Sequence, residues 1–293
     1  MKALVTDMDG TLLNEAREVS PRNVEALKQL QQEGKPVFIA TGRDYYEARL
    51  PLKKAELTVP IISANGAQIH DANGRLLKQE PLMQEQVKAI MTILRKHAIY
   101  FEVYGADAVY SDNVEQGLAV VVDVLKSTGA SLTEDEMLHH AKERFELGAV
   151  KQIESYERLL EQNETILKLL AFTLDSHKLT EAKKEISRFD LVSVSSSAAD
   201  NLEITHTNAQ KGEALQWLCD LHGIPVQEVV AIGDNGNDLS MFAKTPLSVA
   251  MANAPQFIKE QAVYETTSNE LDGVAQIIAS FNQSRQKNTP VKN

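Results

Sequence analysis

The chain has 293 residues, 43% hydrophobic and 24% charged, with a formal net charge of −11, which gives room for one large or two medium soluble domains with real cores. The acidic balance advertises no basic surface for nucleic acid, and no apolar run approaches the about 18 residues that a membrane helix needs. The chain opens on a strand-like run with no charged-then-apolar leader, and its one cysteine, Cys219, allows no internal disulfide, so a reducing cytoplasmic setting is expected.

Lys2–Thr6 reads as a buried strand that runs into Asp7-Met8-Asp9-Gly10-Thr11. Side chains two apart on a strand share a face, so Asp7 and Asp9 are expected to leave the strand end together, where Gly10 lets the chain turn. Two carboxylates that close repel each other unless a cation lies between them, which asks for a hard divalent ion such as Mg²⁺. A carboxylate so poised is a candidate nucleophile toward phosphorus, giving an aspartyl-phosphate. Taken alone, the block is equally a turn or a fragment of a calcium loop.

A helix follows over Pro21–Gln32, with Ser20 as its cap, Pro21 in its first turn and Gly34 as its stop. The strand Pro36–Ala40 ends in Thr41-Gly42-Arg43, and a helix begins at Tyr45 and runs to Lys54. A hydroxyl with backbone N–H groups before a helix makes a small anion site, or simply a capped turn. Arg43 reads either as a surface charge or as a group that approaches the substrate. The strand Pro60–Ser63 leads through Ala64-Asn65-Gly66 to a hairpin, Ala67–His70 and Arg75–Gln79, joined by Asp71-Ala72-Asn73-Gly74. Asn65 belongs either to a tight turn or to a phosphate pocket at the shared strand edge.

The middle of the chain changes character. Helices are expected at Gln84–His97 and Val114–Lys126, and strands at Tyr100–Tyr104, Thr165–Phe172, Leu191–Val194 and Leu202–Ile204. A charged amphipathic stretch lies around Glu134–Glu161, with His139-His140 on its surface. Strands flanked by strands or turns suggest an antiparallel α+β sheet, inserted into a core made from both ends of the chain.

The last third alternates again. A helix from Gln210 to Leu221 starts at Lys211-Gly212, an end where the helix dipole disfavours a cation unless it faces an anion such as a phosphoryl group. Cys219 falls among the apolar positions of that helix and reads as an inert buried thiol. The strand Val229–Ile232 ends in Gly233-Asp234-Asn235-Gly236-Asn237-Asp238, too rich in acids and amides for a simple turn. Asp234 would complete a metal site opposite Asp7, Asn237 would donate to a phosphate oxygen, and Asp238 would orient Lys211 or a metal-bound water. A short helix, Asp238–Phe242, the strand Leu247–Ala250 and helices at Pro255–Gln261 and Leu271–Phe281 complete the pattern. The tail from Ser284 to Asn293 is polar and expected to fray. Alternating βα units with near-continuous apolar strands indicate a doubly wound parallel sheet.

These blocks, in this order and spacing, resemble the haloacid dehalogenase-like phosphohydrolases, in particular the Cof-type subgroup with a large α+β cap (class IIB). Val249-Ala250-Met251-Ala252-Asn253-Ala254 and Leu271-Asp272-Gly273-Val274-Ala275 are also similar to that subgroup. The resemblance implies a Rossmann-like α/β core from residues 1–81 and 207–293, with an inserted substrate-selecting cap over 82–206. It implies a Mg²⁺-dependent phosphatase in which Asp7 attacks phosphorus and Asp9 acts as acid and then base. The metal would be held by the Asp7 carboxylate, the Asp9 carbonyl and Asp234. The phosphoryl oxygens would be held by the Met8 and Gly42 N–H groups, Thr41, Lys211 and Asn237. The implied partner is a small phosphorylated metabolite such as a sugar phosphate or a compound of the flavin mononucleotide or pyridoxal phosphate type; protein partners are not readable. Alternatives are a mutase or phosphotransferase on the same scaffold, or a non-catalytic phospho-ligand sensor. The approach to Lys211, Ile204-Thr205-His206-Thr207-Asn208, lacks the proline turn common in the subgroup. That leaves His206 as either a linker residue or one near the substrate crevice.

Overall fold

A computed structural model describes residues 1–127, 133–146, 150–196 and 199–287. The strands in chain order are β1 (Ala3–Thr6), β2 (Val37–Ala40), β3 (Ile61–Ser63), β4 (Gln68–His70), β5 (Leu76–Gln79), β6 (Tyr100–Gly105), β7 (Val109–Ser111), β8 (Val150–Gln152), β9 (Ile166–Phe172), β10 (Val192–Ser195), β11 (Asn201–His206), β12 (Val229–Gly233), β13 (Ser248–Ala250) and β14 (Tyr264–Glu265). The chain forms two compact units, Met1–Lys78 with Gln210–Asn293, and Gln79–Ala209.

The first unit is built on an eight-stranded sheet in the order β14-β13-β12-β1-β2-β3-β4-β5. Strand β1 pairs in parallel with β2 on one side and with β12 on the other, so the winding reverses across it. Open sheets of this kind bind ligands outside the strand C-termini at such a reversal, because the loops there diverge and leave a crevice. Strands β1, β2 and β12 are buried throughout, which explains their unbroken apolar runs.

Alternation along these strands divides the core into two layers. Leu4, Ile39, Val230 and Ile232 pack with Leu27, Leu30, Ala48, Leu52 and Ile278. Val5, Phe38, Ala40 and Ala231 pack with Leu215, Leu218, Met241, Phe242 and Ile258. Each fully buried Leu, Ile or Phe side chain contributes about 1.5–3 kcal/mol over an exposed one. Cys219 lies in the second layer, and burial pushes its thiol up to about 12.

The helix Pro21–Gln32 starts as expected, with Ser20 accepting the Asn23 N–H. Asn23 is itself fully buried and ties Leu12 to Ala275, donating to the Leu12 carbonyl and accepting from the Ala275 N–H. The C-terminal helix spans Gly273–Lys287, beyond the Phe281 end expected from the apolar pattern and into the stretch expected to fray; residues 288–293 lie outside the described residues.

The second unit carries a six-stranded sheet in the order β10-β11-β9-β6-β7-β8. It is antiparallel as expected except for β7 and β8, which pair in parallel. The charged stretch resolves into helices Glu134–Glu146 and Tyr156–Glu161 with β8 between them, and residues 147–149 lie outside the described residues. His139 in that stretch is exposed. The helix Ser176–Ile186 was not anticipated, although the Asp175 cap and buried Leu179, Ala182 and Ile186 carry its signal. Its apolar face and that of the helix Gln84–Lys96 cover one face of the sheet. Among the described residues, no helix is long and apolar enough to cross a membrane.

Candidate active site

The C-terminal ends of β1 and β12 bring four charged side chains together. Asp7 follows β1, and its N–H donates to the Ile232 carbonyl at 2.9 Å, so the ladder to β12 holds its backbone one residue past the strand. Lys211 opens the helix Lys211–Leu221, and its buried ammonium donates to Asp7 Oδ1 at 2.5 Å and to Asp238 Oδ1 at 2.7 Å. Two carboxylates within reach explain a cation at a helix end that ordinarily repels one. Asp238 is fully buried, and its other oxygen accepts the N–H groups of Asp234 and Asn235 at 3.0 Å each. Asp234 accepts the Thr11 hydroxyl at 2.7 Å. Ligand oxygens of Asp7, Asp234 and Asp238 lie within 4.8 Å of one another.

Three carboxylates against one ammonium leave two negative charges in a buried pocket. Burial opposes the charge on Lys211, but Asp238 and Asp7 outweigh it and hold its pKa above the ordinary lysine value. Burial likewise raises Asp7 well above the usual carboxylate range; Lys211 opposes this, and Asp238 and Asp234 add to it. Asp234 is pushed up to about 6 by burial and then by Asp238. An excess of two negative charges, presented by hard oxygen donors, fits a divalent cation. Asp7 and Asp234 are the better ligands, because both Asp238 oxygens are engaged by protein donors.

Two glycines make this approach feasible. Gly10 has φ +75°, and a Cβ there would lie 2.4 Å from Asp234 Oδ2. A Cβ on Gly233 would meet the Asp238 carboxylate at 2.4 Å. Gly10→Ala is therefore expected to cost about 1–3 kcal/mol through backbone strain and displacement of Asp234. A thermal melt checks the stability, and Mg²⁺ titration checks the expected weaker binding.

The Asp9 carboxylate does not join Asp7. Strand β1 ends at Thr6 and Gly10 takes the left-handed conformation, so two-residue alternation no longer governs Asp9. Asp9 instead accepts two hydrogen bonds from Arg43, from Nε at 2.8 Å and Nη2 at 2.5 Å. Burial opposes the Arg43 charge, and the Asp9 carboxylate more than offsets it, raising the Arg43 pKa. Arg43 is thus neither an idle surface charge nor part of the Asp7 cluster.

The remaining residues form a second linked set. Thr41 is buried and its hydroxyl accepts the Arg43 N–H, while its carbonyl accepts the Asn65 N–H at 3.0 Å. Asn65, at φ 59°, accepts the Asn237 side-chain amide at 3.2 Å, and Asn237 Oδ1 is buried with no hydrogen-bond partner. Gly42 sits in the Thr41–Asp44 turn before the helix Tyr45–Lys54, whose first N–H groups are capped by Asp44. The Met8 side chain is in the core, and its carbonyl caps the turn by accepting from Leu12 and Leu13. His206 ends β11, with Nδ1 accepting the Asn208 N–H and lying 3.9 Å from Glu80. Two supports had not been assigned: Thr11 on Asp234, and Asn253, whose amide donates to the Gly10 carbonyl at 2.8 Å. Both sit inside recognisable blocks, but their contacts span more than 220 residues of sequence, as their separations of 223 and 243 record.

A model of the haloacid dehalogenase-like hydrolases matches residues 4–278. The chain belongs to this family. It is 38% identical over 279 residues to the 5-amino-6-(5-phospho-D-ribitylamino)uracil phosphatase YwtE of Bacillus subtilis, covering 95% of this chain and 97% of that protein. It is 33% identical over 281 residues to the phosphatase YwpJ of the same organism, covering 95% and 99%. Among solved structures, a haloacid dehalogenase-like hydrolase from B. subtilis matches with a TM-score of 0.86 at 32% identity, covering 95% of this chain and 99% of that one. In this chain the block from Asp7 to Thr11 and the block from Gly233 to Asp238 follow the paired strands β1 and β12, and the cluster lies where they end.

Proposed function

We propose that this family member is a Mg²⁺-dependent phosphatase that cleaves small phosphate monoesters through an aspartyl-phosphate on Asp7. The observation that carries the reading is the Asp7 carboxylate at the end of the central strand, clamped by a buried lysine in a pocket with two surplus negative charges. The phosphatase names of relatives sharing 33–38% identity support the reaction class, and the ribitylaminouracil phosphate that one of them acts on supports a small phosphorylated metabolite.

In this reading Asp7 Oδ attacks phosphorus, the P–O bond to the leaving alcohol breaks, and Asp9 supplies the proton that the alcohol takes. Water then attacks the aspartyl-phosphate, with Asp9 as base, and releases inorganic phosphate and free Asp7. Arg43 must release Asp9 for either proton transfer, because both of its carboxylate oxygens accept from the guanidinium. Lys211 holds Asp7 in position and offsets charge gathering on the phosphoryl oxygens, with Thr41, the Met8 and Gly42 N–H groups and Asn237 as further donors. Asp238 positions Lys211 and the Asp234 loop. A Mg²⁺ held by Asp7, Asp234 and the Asp9 carbonyl would supply further electrostatic stabilisation of the transferring group.

Metal affinity should depend on pH with a defined sign. A carboxylate whose folded pKa is raised contributes stability at low pH that is lost as pH rises through that value, about 6 for Asp234. Mg²⁺ displaces the proton, so its apparent affinity is expected to rise from about pH 5 to about pH 7. Calorimetric titration in buffers of different ionisation heat should read proton release at pH 6. Affinity independent of pH across this range would contradict the ligand assignment. A phosphate-release assay on a panel of small esters, with Mg²⁺ and with EDTA, tests the reaction itself.

A further inference from the structure

Ala64, Asn65 and Gly66 follow one another in the left-handed region, at φ 47°, 59° and 102°. Asn and Gly visit this region readily, but a Cβ makes it costly for Ala64, which is buried. Joining β3 to β4 does not require it. Ser63 pairs with Gln68, and a loop of the intervening length is most often built around a type I turn, whose central residues have negative φ. Strain of this kind persists only where the surroundings fix it, and here they do so from three sides. The Ala64 and Asn65 N–H groups donate to the Arg43 and Thr41 carbonyls at 2.7 and 3.0 Å. A Cβ on Gly66 would lie 2.5 Å from the Gln210 carbonyl oxygen, so the turn packs directly on the residue before Lys211. The Asn65 side chain, 4% exposed, accepts the Asn237 amide at 3.2 Å. One strained turn thus touches the Thr41 loop, the start of the Lys211 helix and the Asn237 loop.

We propose that Asn65 is a positioning residue: the left-handed turn holds its amide oxygen on Asn237, which keeps an N–H of Asn237, and not its carbonyl oxygen, available to the transferring phosphoryl group. The inference rests on the phosphatase reading above. A side-chain amide has two N–H donors, so one remains while Asn65 holds the other. Among the described residues, the bond to Asn65 is what orients the Asn237 amide, because its Oδ1 is buried with no hydrogen-bond partner. Reversing that amide would set Asn237 Oδ1 against Asn65 Oδ1, acceptor against acceptor. Without Asn65 the two orientations are no longer told apart, and the one that presents oxygen repels a phosphoryl oxygen.

The test is a double-mutant cycle on the full-length chain with Mg²⁺: wild type, Asn65→Gly, Asn237→Ala and both together. It reads kcat for phosphate release from phenyl phosphate and from a ribitol phosphate, with thermal melts alongside. Asn65→Gly is expected to melt close to wild type, because glycine takes φ 59° without strain, and to lower kcat about tenfold. Asn237→Ala is expected to lower kcat about 10²-fold, and adding Asn65→Gly to it should change kcat by less than about twofold, since Asn65 then has no amide to hold. An equal fall from Asn65→Gly in both backgrounds, or a kcat of Asn65→Gly within about twofold of wild type, overturns this proposal and leaves the phosphatase reading standing. If Asn65→Gly fails to fold, Asn65→Ala, the residue type that already holds a left-handed conformation at position 64, completes the cycle. Release from neither ester by wild type overturns the phosphatase reading, and this inference with it.

Discussion

Asp7→Asn is expected to lower turnover by about 10⁴-fold or more, the scale of removing a nucleophile from an enzyme whose other groups remain. The amide keeps the size of the carboxylate, and its oxygen can still accept from Lys211, so the packing around residue 7 survives. Stability should hold or rise, because the substitution removes one of three carboxylates that share one ammonium, and burial already disfavours the Asp7 charge. A melting temperature at or above wild type together with lost phosphate release separates a chemical role from a structural one. Substantial activity in the folded variant would sink the nucleophile assignment.

Lys211→Ala is expected to be damaging in both respects. Removing the ammonium leaves the Asp7 and Asp238 carboxylates buried without the donor that sits 2.5 and 2.7 Å away. Breaking a buried pair in this way costs about 3–5 kcal/mol. The raised pKa of Lys211 means that the ammonium stabilises the fold fully below the ordinary lysine value and loses this effect only as pH rises through the folded value, so the penalty should be undiminished across neutral pH. Loss of charge stabilisation for the transferring phosphoryl group should lower kcat by about 10²–10³-fold. Mg²⁺ should recover part of the lost stability by neutralising the same carboxylates, so melts with Mg²⁺ and with EDTA should differ more in the variant than in wild type. A near-wild-type rate would mean that Lys211 serves only to hold Asp238.

Much of this is visible in the sequence because strand ends, turns and charges are local signals. An apolar run ending in Asp7, another ending in Gly233-Asp234, and a lysine at an unfavourable helix end each break a local preference, and the fold gathers all three at one sheet edge. Helices Pro21–Gln32 and Tyr45–Lys54 were legible to the residue, the first through its Ser20 cap and Gly34 stop, while the Asp44 cap of the second emerged only in the structure. The pairing of Asp9 with Arg43 was not, since strand periodicity was carried past the point where β1 ends. Nor was the role of Asn253, whose amide reaches a carbonyl 243 residues earlier. The parallel pairing of β7 with β8 also escaped, because strands of three residues carry too little alternation to be recognised.

Attack by Asp7 would leave one covalent mark that no other assignment of the nucleophile would leave. Wild-type protein mixed with a cleavable ester and Mg²⁺, quenched in acid during turnover, reduced with borohydride and mapped by mass spectrometry should show residue 7 converted to homoserine, the product of reducing an aspartyl-phosphate. Asp7→Asn treated in the same way should show no such conversion. Phosphate release at the wild-type rate with residue 7 unmodified, or with the mark on another carboxylate, would contradict the account.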